Sequence, residues 1–306
     1  MKSLIFITTY NCNMNCEFCL FTLKDREQLS IDVSLFKKLL KEAKNLGYGN
    51  IVLTGGEPCL HPRFNELVEL TVDKGLRFSI VSNGFLSERY IPLLAHKANF
   101  GFIAFSLDSA DKEIHDRLRM PGSYEKTVGA VSYFSNHGVI TRVQSCLNRF
   151  NISEIESLAE VAQKTGATGL RFLSVIATGK NDRFVLSNKE REEAYYKIKA
   201  IKKKFTIKLS ASSSLYIGYE RDFCSSLNLA DLAIHPNGDA VFCCDIKKGG
   251  VLGNLGKDSL ADILSKGRIA VSSLSEKRKE CIDKNNFFEG FNNCYFCNSQ
   301  IGEVKL

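Results

Sequence analysis

Leu4-Ile5-Phe6-Ile7-Thr8-Thr9-Tyr10-Asn11-Cys12-Asn13-Met14-Asn15-Cys16-Glu17-Phe18-Cys19 sets an apolar run against a loop with three cysteines in eight residues. Leu4 to Ile7, ended by Thr8, Thr9 and Asn11, reads as a buried strand whose carboxyl end opens into the cysteine loop. Three thiolates are one ligand fewer than a four-iron cluster needs, so the fourth iron would be left to a substrate or cofactor. The competing readings are a zinc knuckle closed by a distant His or Cys, and a disulfide framework.

Five further strand-like runs follow, at Ile51–Thr54, Phe78–Ser82, Phe102–Leu107, Thr141–Cys146 and Leu170–Leu173. Helical patterns lie between them. Phe36, Leu39, Leu40, Ala43 and Leu46 recur at helical spacing before Gly47, and Ser153 with Glu156 predicts a capping box before Leu158, Ala159 and Ala162. Strands alternating with helices imply a parallel sheet. The polar residues choose its form. Cys12 to Cys19, Gly55-Gly56-Glu57-Pro58, Ser82-Asn83, Ser106 with Asp108, and Asn148 all follow the carboxyl ends of successive strands. A doubly wound sheet gathers ligands at one switch point, whereas a barrel gathers them around one mouth. The expectation is an α/β fold, a partial (β/α)6 TIM-like barrel with a small C-terminal cysteine-rich module.

With 306 residues, 44% of them hydrophobic, the chain can fill one large core and a smaller one. No apolar span approaches eighteen residues and no signal peptide is readable before Thr8, so a cytoplasmic, reduced protein without membrane contact is expected. Its eleven cysteines then point to metal rather than disulfides. The net charge of +7 falls largely on Lys197, Lys199, Lys202, Lys203 and Lys204 and around Lys277–Lys279. Without interleaved aromatic residues these read as solvated faces, and nucleic acid is not an expected partner.

The barrel is expected over residues 1–180, a charged connecting helix over 181–205, and an auxiliary module over 206–306. The last holds Cys224, Cys243, Cys244, Cys281, Cys294 and Cys297. Pro236-Asn237-Gly238-Asp239 predicts a hairpin turn, and Cys243 and Cys244, being adjacent, should face opposite sides.

The Cys12-x-x-x-Cys16-x-x-Cys19 run, followed one βα unit later by Thr54-Gly55-Gly56-Glu57-Pro58, resembles the radical S-adenosylmethionine (SAM) superfamily. That resemblance implies a 4Fe-4S cluster on Cys12, Cys16 and Cys19, with SAM on the fourth iron. Reduction would cleave the sulfonium to a 5′-deoxyadenosyl radical that takes hydrogen from an unactivated C–H bond. Gly55 and Gly56 would let the backbone approach the methionine part, Glu57 would accept from its ammonium group, and Pro58 would stiffen the turn. Phe18 matches a position near the adenine. Ser82, Asn83, Ser106 and Asp108 match positions that hold the methionine or ribose. Arg119, ahead of Arg117, matches an arginine for the cofactor carboxylate. Cys59 and Cys146 read as small buried hydrophobes.

The spacing of Cys224, Gly238 and Cys243, with Cys294-x-x-Cys297 as closing pair, resembles the SPASM and twitch auxiliary modules. A full SPASM cysteine set is not present, which implies one auxiliary iron-sulfur cluster, of 4Fe-4S type, on Cys224, Cys243, Cys294 and Cys297. Structural zinc on those residues is the alternative, and Cys244 could be the ligand in place of Cys243. Some epimerases of the superfamily use a thiol placed like Cys244 to return a hydrogen atom. The resemblance implies a peptide or small-molecule substrate and a reductant such as flavodoxin or ferredoxin. Epimerisation or crosslinking of a ribosomally made peptide ranks first, although no leader-recognition domain fits before Leu4. Oxidation or epimerisation of a sugar or aminocyclitol ranks second, and a non-catalytic iron-sulfur or zinc protein is the reading of another class.

Overall fold

The computed structural model describes residues 1–20, 29–215, 224–226, 229–244 and 250–283, together with Cys294 and Cys297. The six strand-like runs form β1 (Lys2–Thr9), β2 (Tyr48–Gly55), β3 (Arg77–Ser82), β4 (Phe100–Ser106), β5 (Thr141–Leu147) and β6 (Gly169–Ser174). All pair in parallel, each with the next in sequence. A spatial order that follows the chain has no switch point, which excludes a doubly wound sheet. β7 (Lys208–Ala211) continues the sheet beside β6.

The other edge is extended by the C-terminal region. β8 (Asp231–Ile234) pairs in parallel with β1, and β9 (Asp239–Val241) and β10 (Val251–Asn254) follow it as antiparallel strands. Among the described residues the result is one ten-stranded sheet with β10 and β7 at its edges, a partial barrel. The turn between β8 and β9 falls where the sequence placed it, with Gly238 at φ +85° and the His235 N–H donating to the Asp239 carbonyl at 2.8 Å.

α1 (Val33–Asn45) buries Val33, Phe36, Leu39, Leu40 and Ala43, and Asp32 caps it by accepting from the Leu35 N–H at 3.0 Å. α2 (Phe64–Asp73) joins β2 to β3; α3 (Lys112–Leu118) and α4 (Ser123–Asn136) join β4 to β5. α5 (Ile155–Lys164) and α6 (Asn188–Ile201) lead to β6 and β7, and α7 (Leu260–Asp283) packs on β10 and α1. Between β3 and β4 the chain forms 3₁₀ turns over Ser87–Asn99, with Pro92 inside and a kink at His96. Proline has no N–H to continue an α-helical ladder there.

The capping box predicted at Ser153 does not form. A 3₁₀ turn over Ile152–Glu154 runs directly into α5, and no side chain caps that helix. The box occurs instead at α6, between Ser187 and Glu190. Lys197 reaches the Ser153 carbonyl and Lys204 pairs with Glu156, in keeping with a solvated basic face.

One face of the sheet packs on the helices through Leu4, Phe6, Leu53, Ile80, Phe105, Val143 and Phe172, all fully buried. Alternation turns Ile5, Ile7, Phe102, Gln144 and Arg171 to the other face, which is the inside of the partial barrel. Among the described residues no helix is long and apolar enough to cross a membrane, and none of the ten described cysteines is in a disulfide.

Candidate active site

The cysteine loop begins where β1 ends and is pinned on two sides. The Gly56 N–H donates to the Thr9 carbonyl at 2.8 Å and the Glu57 N–H to the Asn11 carbonyl at 2.7 Å, which fastens the end of β2 to the loop. Inside the loop the Cys19 N–H donates to the Cys16 carbonyl at 3.1 Å. The Cys12 sulfur accepts from the Met14 N–H at 3.4 Å and from Asn83 Nδ2 at 3.7 Å. Burial pushes the Cys12 thiol up to about 11 and the Cys16 thiol up to about 12, with the charge of Arg119 working the other way on Cys16. Cys19 lies close enough to raise both further, so the three sulfurs share one electrostatic environment. Metal binding there must displace protons.

The Gly-Gly-Glu-Pro turn does something different from what the sequence suggests. A Cβ at Gly55 would lie 2.4 Å from the Thr9 carbonyl oxygen and one at Gly56 2.1 Å from that of Asn11. The glycines therefore make room for the chain's own β1 backbone. Glu57 is fully buried, and its carboxylate is enclosed by the chain: Ser82 Oγ donates at 2.8 Å, the Asn83 N–H at 2.9 Å, and the Tyr90 hydroxyl and Cys59 thiol also donate. Burial raises its pKa, and those hydrogen bonds oppose the rise. Glu57 thus ties β2, β3 and the 3₁₀ segment together, and the expected contact with a ligand's ammonium group is replaced by these internal donors. The Ser82 hydroxyl is engaged in the same way. Pro58 is buried and opens a short 3₁₀ turn. Asn83 bridges to the loop, donating to Asn13 Oδ1 at 2.8 Å.

A second knot joins β4, α3 and β5. Asp108, fully buried, accepts from Arg119 Nε at 2.6 Å and from the Cys146 N–H at 2.7 Å. Its own N–H donates to His115 Nδ1 at 3.1 Å, and its carbonyl accepts from Asn151 Nδ2 at 2.6 Å. Burial and the neighbouring Arg119 push His115 down to about 4. The Arg119 guanidinium stands 5.7 Å from the Phe18 ring centre, and Phe18 packs with Leu118, Val175 and Phe184 beside Cys16 and Cys146. Arg119, Asp108 and Phe18 are thus brought to the cysteine loop. Ser106 ends β4, half-buried, opposite Gln144. Cys146, read from sequence as a small hydrophobe, is half-buried at the same place.

Polar atoms left over at the loop fit a bound cofactor. Asn11 Oδ1 and Asn13 Nδ2 are buried without a partner, and Arg119 gives only its Nε–H to the protein among the described residues. Three thiols, a partly engaged guanidinium and unpaired amide groups suit an iron-sulfur cluster with a zwitterionic ligand. Residues 6–162, about half of the chain, match the radical SAM superfamily. The chain belongs to the radical SAM superfamily. As a radical SAM protein it uses a 4Fe-4S cluster and SAM. Residues 224–298 match the SPASM iron-sulfur cluster-binding domain, which adds auxiliary iron-sulfur binding.

The chain is 25% identical over 264 residues to the antilisterial bacteriocin subtilosin biosynthesis protein AlbA of Bacillus subtilis, covering 85% of this chain and 58% of that protein. It is 28% identical over 178 residues to the AdoMet-dependent heme synthase of Methanosarcina barkeri, covering 57% of this chain and 50% of that one. It therefore spans only about half the length of these relatives. In fold it is similar to Streptococcus suis SuiB bound to S-adenosylmethionine, with a TM-score of 0.71 at 16% identity over 86% of this chain and 65% of that one.

Of the auxiliary cysteines, Cys294 and Cys297 are both helical, a spacing that puts their side chains on one face. Cys224, Cys243 and Cys297 pack against the helix-side core, whereas Cys244 packs with Ile7, Tyr10, Ala233 and Val241 on the barrel-inward side. Cys281 lies on α7, and its side chain is outside the described residues. Tyr90 and His115 carry no functional signal in the sequence. Tyr90 lies on a segment without helical periodicity, and no local pattern marks it as the partner of a carboxylate 33 residues earlier.

Proposed function

We propose that this radical SAM enzyme epimerises a residue of a ribosomally made peptide, with Cys244 returning the hydrogen atom. The observation that carries it is the opposite placement of two adjacent cysteines, Cys243 toward the helix-side core and Cys244 toward the barrel interior. Cys12, Cys16 and Cys19 would hold the SAM cluster, and Cys224, Cys243, Cys294 and Cys297 the auxiliary one. Arg119, positioned by Asp108, would take the cofactor carboxylate; Asn83, Ser106 and Phe18 would line the rest of its site, and Gly55, Gly56, Glu57, Pro58 and Ser82 would hold the backbone beneath it. The division that goes with this reading is a barrel over 1–180, a connector over 181–205 and an auxiliary module over 206–306, the last containing the SPASM match. Support for a peptide comes from the AlbA relative, named for bacteriocin biosynthesis, and from SuiB, solved with the precursor peptide SuiA.

When bound, the cluster and SAM supply a one-electron reductive cleavage that removes a hydrogen atom from an unactivated C–H bond. The S–H bond of Cys244 then breaks and a C–H bond forms on the opposite face of the substrate carbon, inverting it. The sulfur is left one electron short. An external one-electron donor of the flavodoxin or ferredoxin class and a solvent proton restore the thiol. Crosslinking would need the carbon radical captured by another atom, and an inward thiol favours quenching instead.

The test is turnover in D2O with any short precursor peptide found to be encoded beside the gene. The inverted residue should carry one solvent deuteron, and Cys244→Ala should still form 5′-deoxyadenosine while losing the inverted product. Normal epimerisation by Cys244→Ala would remove Cys244 as donor.

A further inference from the structure

Below the cofactor loops, the inward face of β4 to β7 contains a cavity of about 470 Å³ whose lining among the described residues includes Phe102, Arg142, Gln144, Arg171, Lys208 and Ser210 and no Asp or Glu. Strand register brings these residues together: Arg142 lies beside Gly169 and Gly169 beside Lys208, while Gln144 lies beside Arg171 and Arg171 beside Ser210. Among the described residues none of the three cations is in an ion pair. The Arg142 guanidinium stands 4.2 Å from the Phe102 ring centre, and burial together with the like charge of Arg171 lowers its pKa. A Cβ at Gly169 would lie 2.9 Å from the Lys208 carbonyl oxygen. Glycine here keeps β6 and β7 close and leaves the cavity open.

Three cations with hydroxyl and amide donors, and no acid among the described lining residues, make a site for an oxyanion. Its position gives that anion a use. Arg142, Gln144 and Cys146 point to the same face of β5, and Cys146 packs beside Cys16 and Phe18. Four residues of strand span about 13 Å at roughly 3.3 Å each. We infer that this cavity binds a carboxylate of the peptide substrate and sets which residue is presented to the cofactor, about four residues of extended chain away. The inference rests on the peptide reading above and names the substrate class as acidic. Inorganic phosphate shares the oxyanion chemistry but has no chain to span the distance.

The test is equilibrium binding by fluorescence anisotropy to the anaerobically purified full chain. The probes are a fluorescent pentapeptide of four alanines ending in amidated glutamate, its glutamine counterpart and its lysine counterpart, with inorganic phosphate as competitor. The glutamate peptide should bind about tenfold more tightly than the glutamine one, a preference the Arg171→Gln/Lys208→Gln variant should lose, as expected for two partly solvated ion contacts. The Arg171→Glu/Lys208→Glu variant should turn the preference toward the lysine peptide, which a misfolded protein cannot do. Equal binding of the glutamate and glutamine peptides, an unchanged preference in the glutamine variant, or displacement of the glutamate peptide by an equal concentration of phosphate would each overturn the proposal. Binding needs neither reductant nor turnover, so its failure leaves the radical reading intact, and absent 5′-deoxyadenosine would leave the cavity assignment intact.

Discussion

Replacing Gly56 with alanine should separate the cysteine loop from the strand that holds it. The added methyl would stand 2.1 Å from the Asn11 carbonyl oxygen, 2.6 Å from its carbon and 2.9 Å from the Tyr10 oxygen. Ordinary carbon contacts begin near 3.5 Å, so the loop must retreat by about 1.4 Å. These are backbone atoms, and no side chain can swing aside instead. Retreat weakens the Gly56-to-Thr9 and Glu57-to-Asn11 hydrogen bonds, at about 1 kcal/mol each, on top of about 1–3 kcal/mol for overpacking. The expected loss of stability is about 3–5 kcal/mol by denaturant unfolding. Cys12 follows Asn11 directly, so iron content should fall, and a displacement on the order of 1 Å should cut 5′-deoxyadenosine formation about 100-fold in protein that retains its cluster. Gly129→Ala is the control, because a Cβ there meets nothing within 4 Å and α4 should gain about 0.5–1 kcal/mol. Wild-type stability, iron content and 5′-deoxyadenosine yield in Gly56→Ala would mean that close backbone contact at Gly56 does not hold the cysteine loop.

Asp108→Ala removes the partner of a buried arginine and the acceptor of the Cys146 N–H, and should destabilise the protein by about 3–5 kcal/mol in urea; a loss below about 1 kcal/mol would mean that Arg119 is paired elsewhere. His115 binds its proton less readily folded than unfolded, since its pKa lies at about 4 against 6.5. Stability is therefore complete above pH 6.5 and declines toward pH 4, by on the order of 3 kcal/mol from this group. His115→Asn keeps an acceptor for the Asp108 N–H and should flatten that interval of the urea midpoint against pH, whereas an unchanged slope would assign the acid sensitivity to other groups.

Much of the barrel was legible because its strands are apolar runs or, at β5, an alternating stretch, each closed by polar residues, and each run stands in the sheet next to its sequence neighbour. α1 was legible for the same reason, since Phe36, Leu39, Leu40 and Ala43 repeat at helical spacing and all four are buried. What could not be read depends on distant pairings. Nothing in Asp231–Ile234 announces that it pairs with β1, 228 residues earlier at Ser3 and Asp231. The capping box was misplaced because Ser-x-x-Glu occurs at both Ser153 and Ser187, and only tertiary packing decides which one starts a helix. Glu57 shows the same limit at the site. Its motif identified the turn correctly, but only the arrival of Ser82, Asn83, Tyr90 and Cys59 around the carboxylate shows that it serves the fold.

The most direct measurement is 5′-deoxyadenosine, quantified after anaerobic incubation of the iron-loaded protein with SAM and a strong one-electron reductant. The wild-type chain should form it, and a Cys12→Ser/Cys16→Ser/Cys19→Ser variant that still binds auxiliary iron should not. A wild-type protein that carries the cluster, binds SAM and forms no 5′-deoxyadenosine would contradict it.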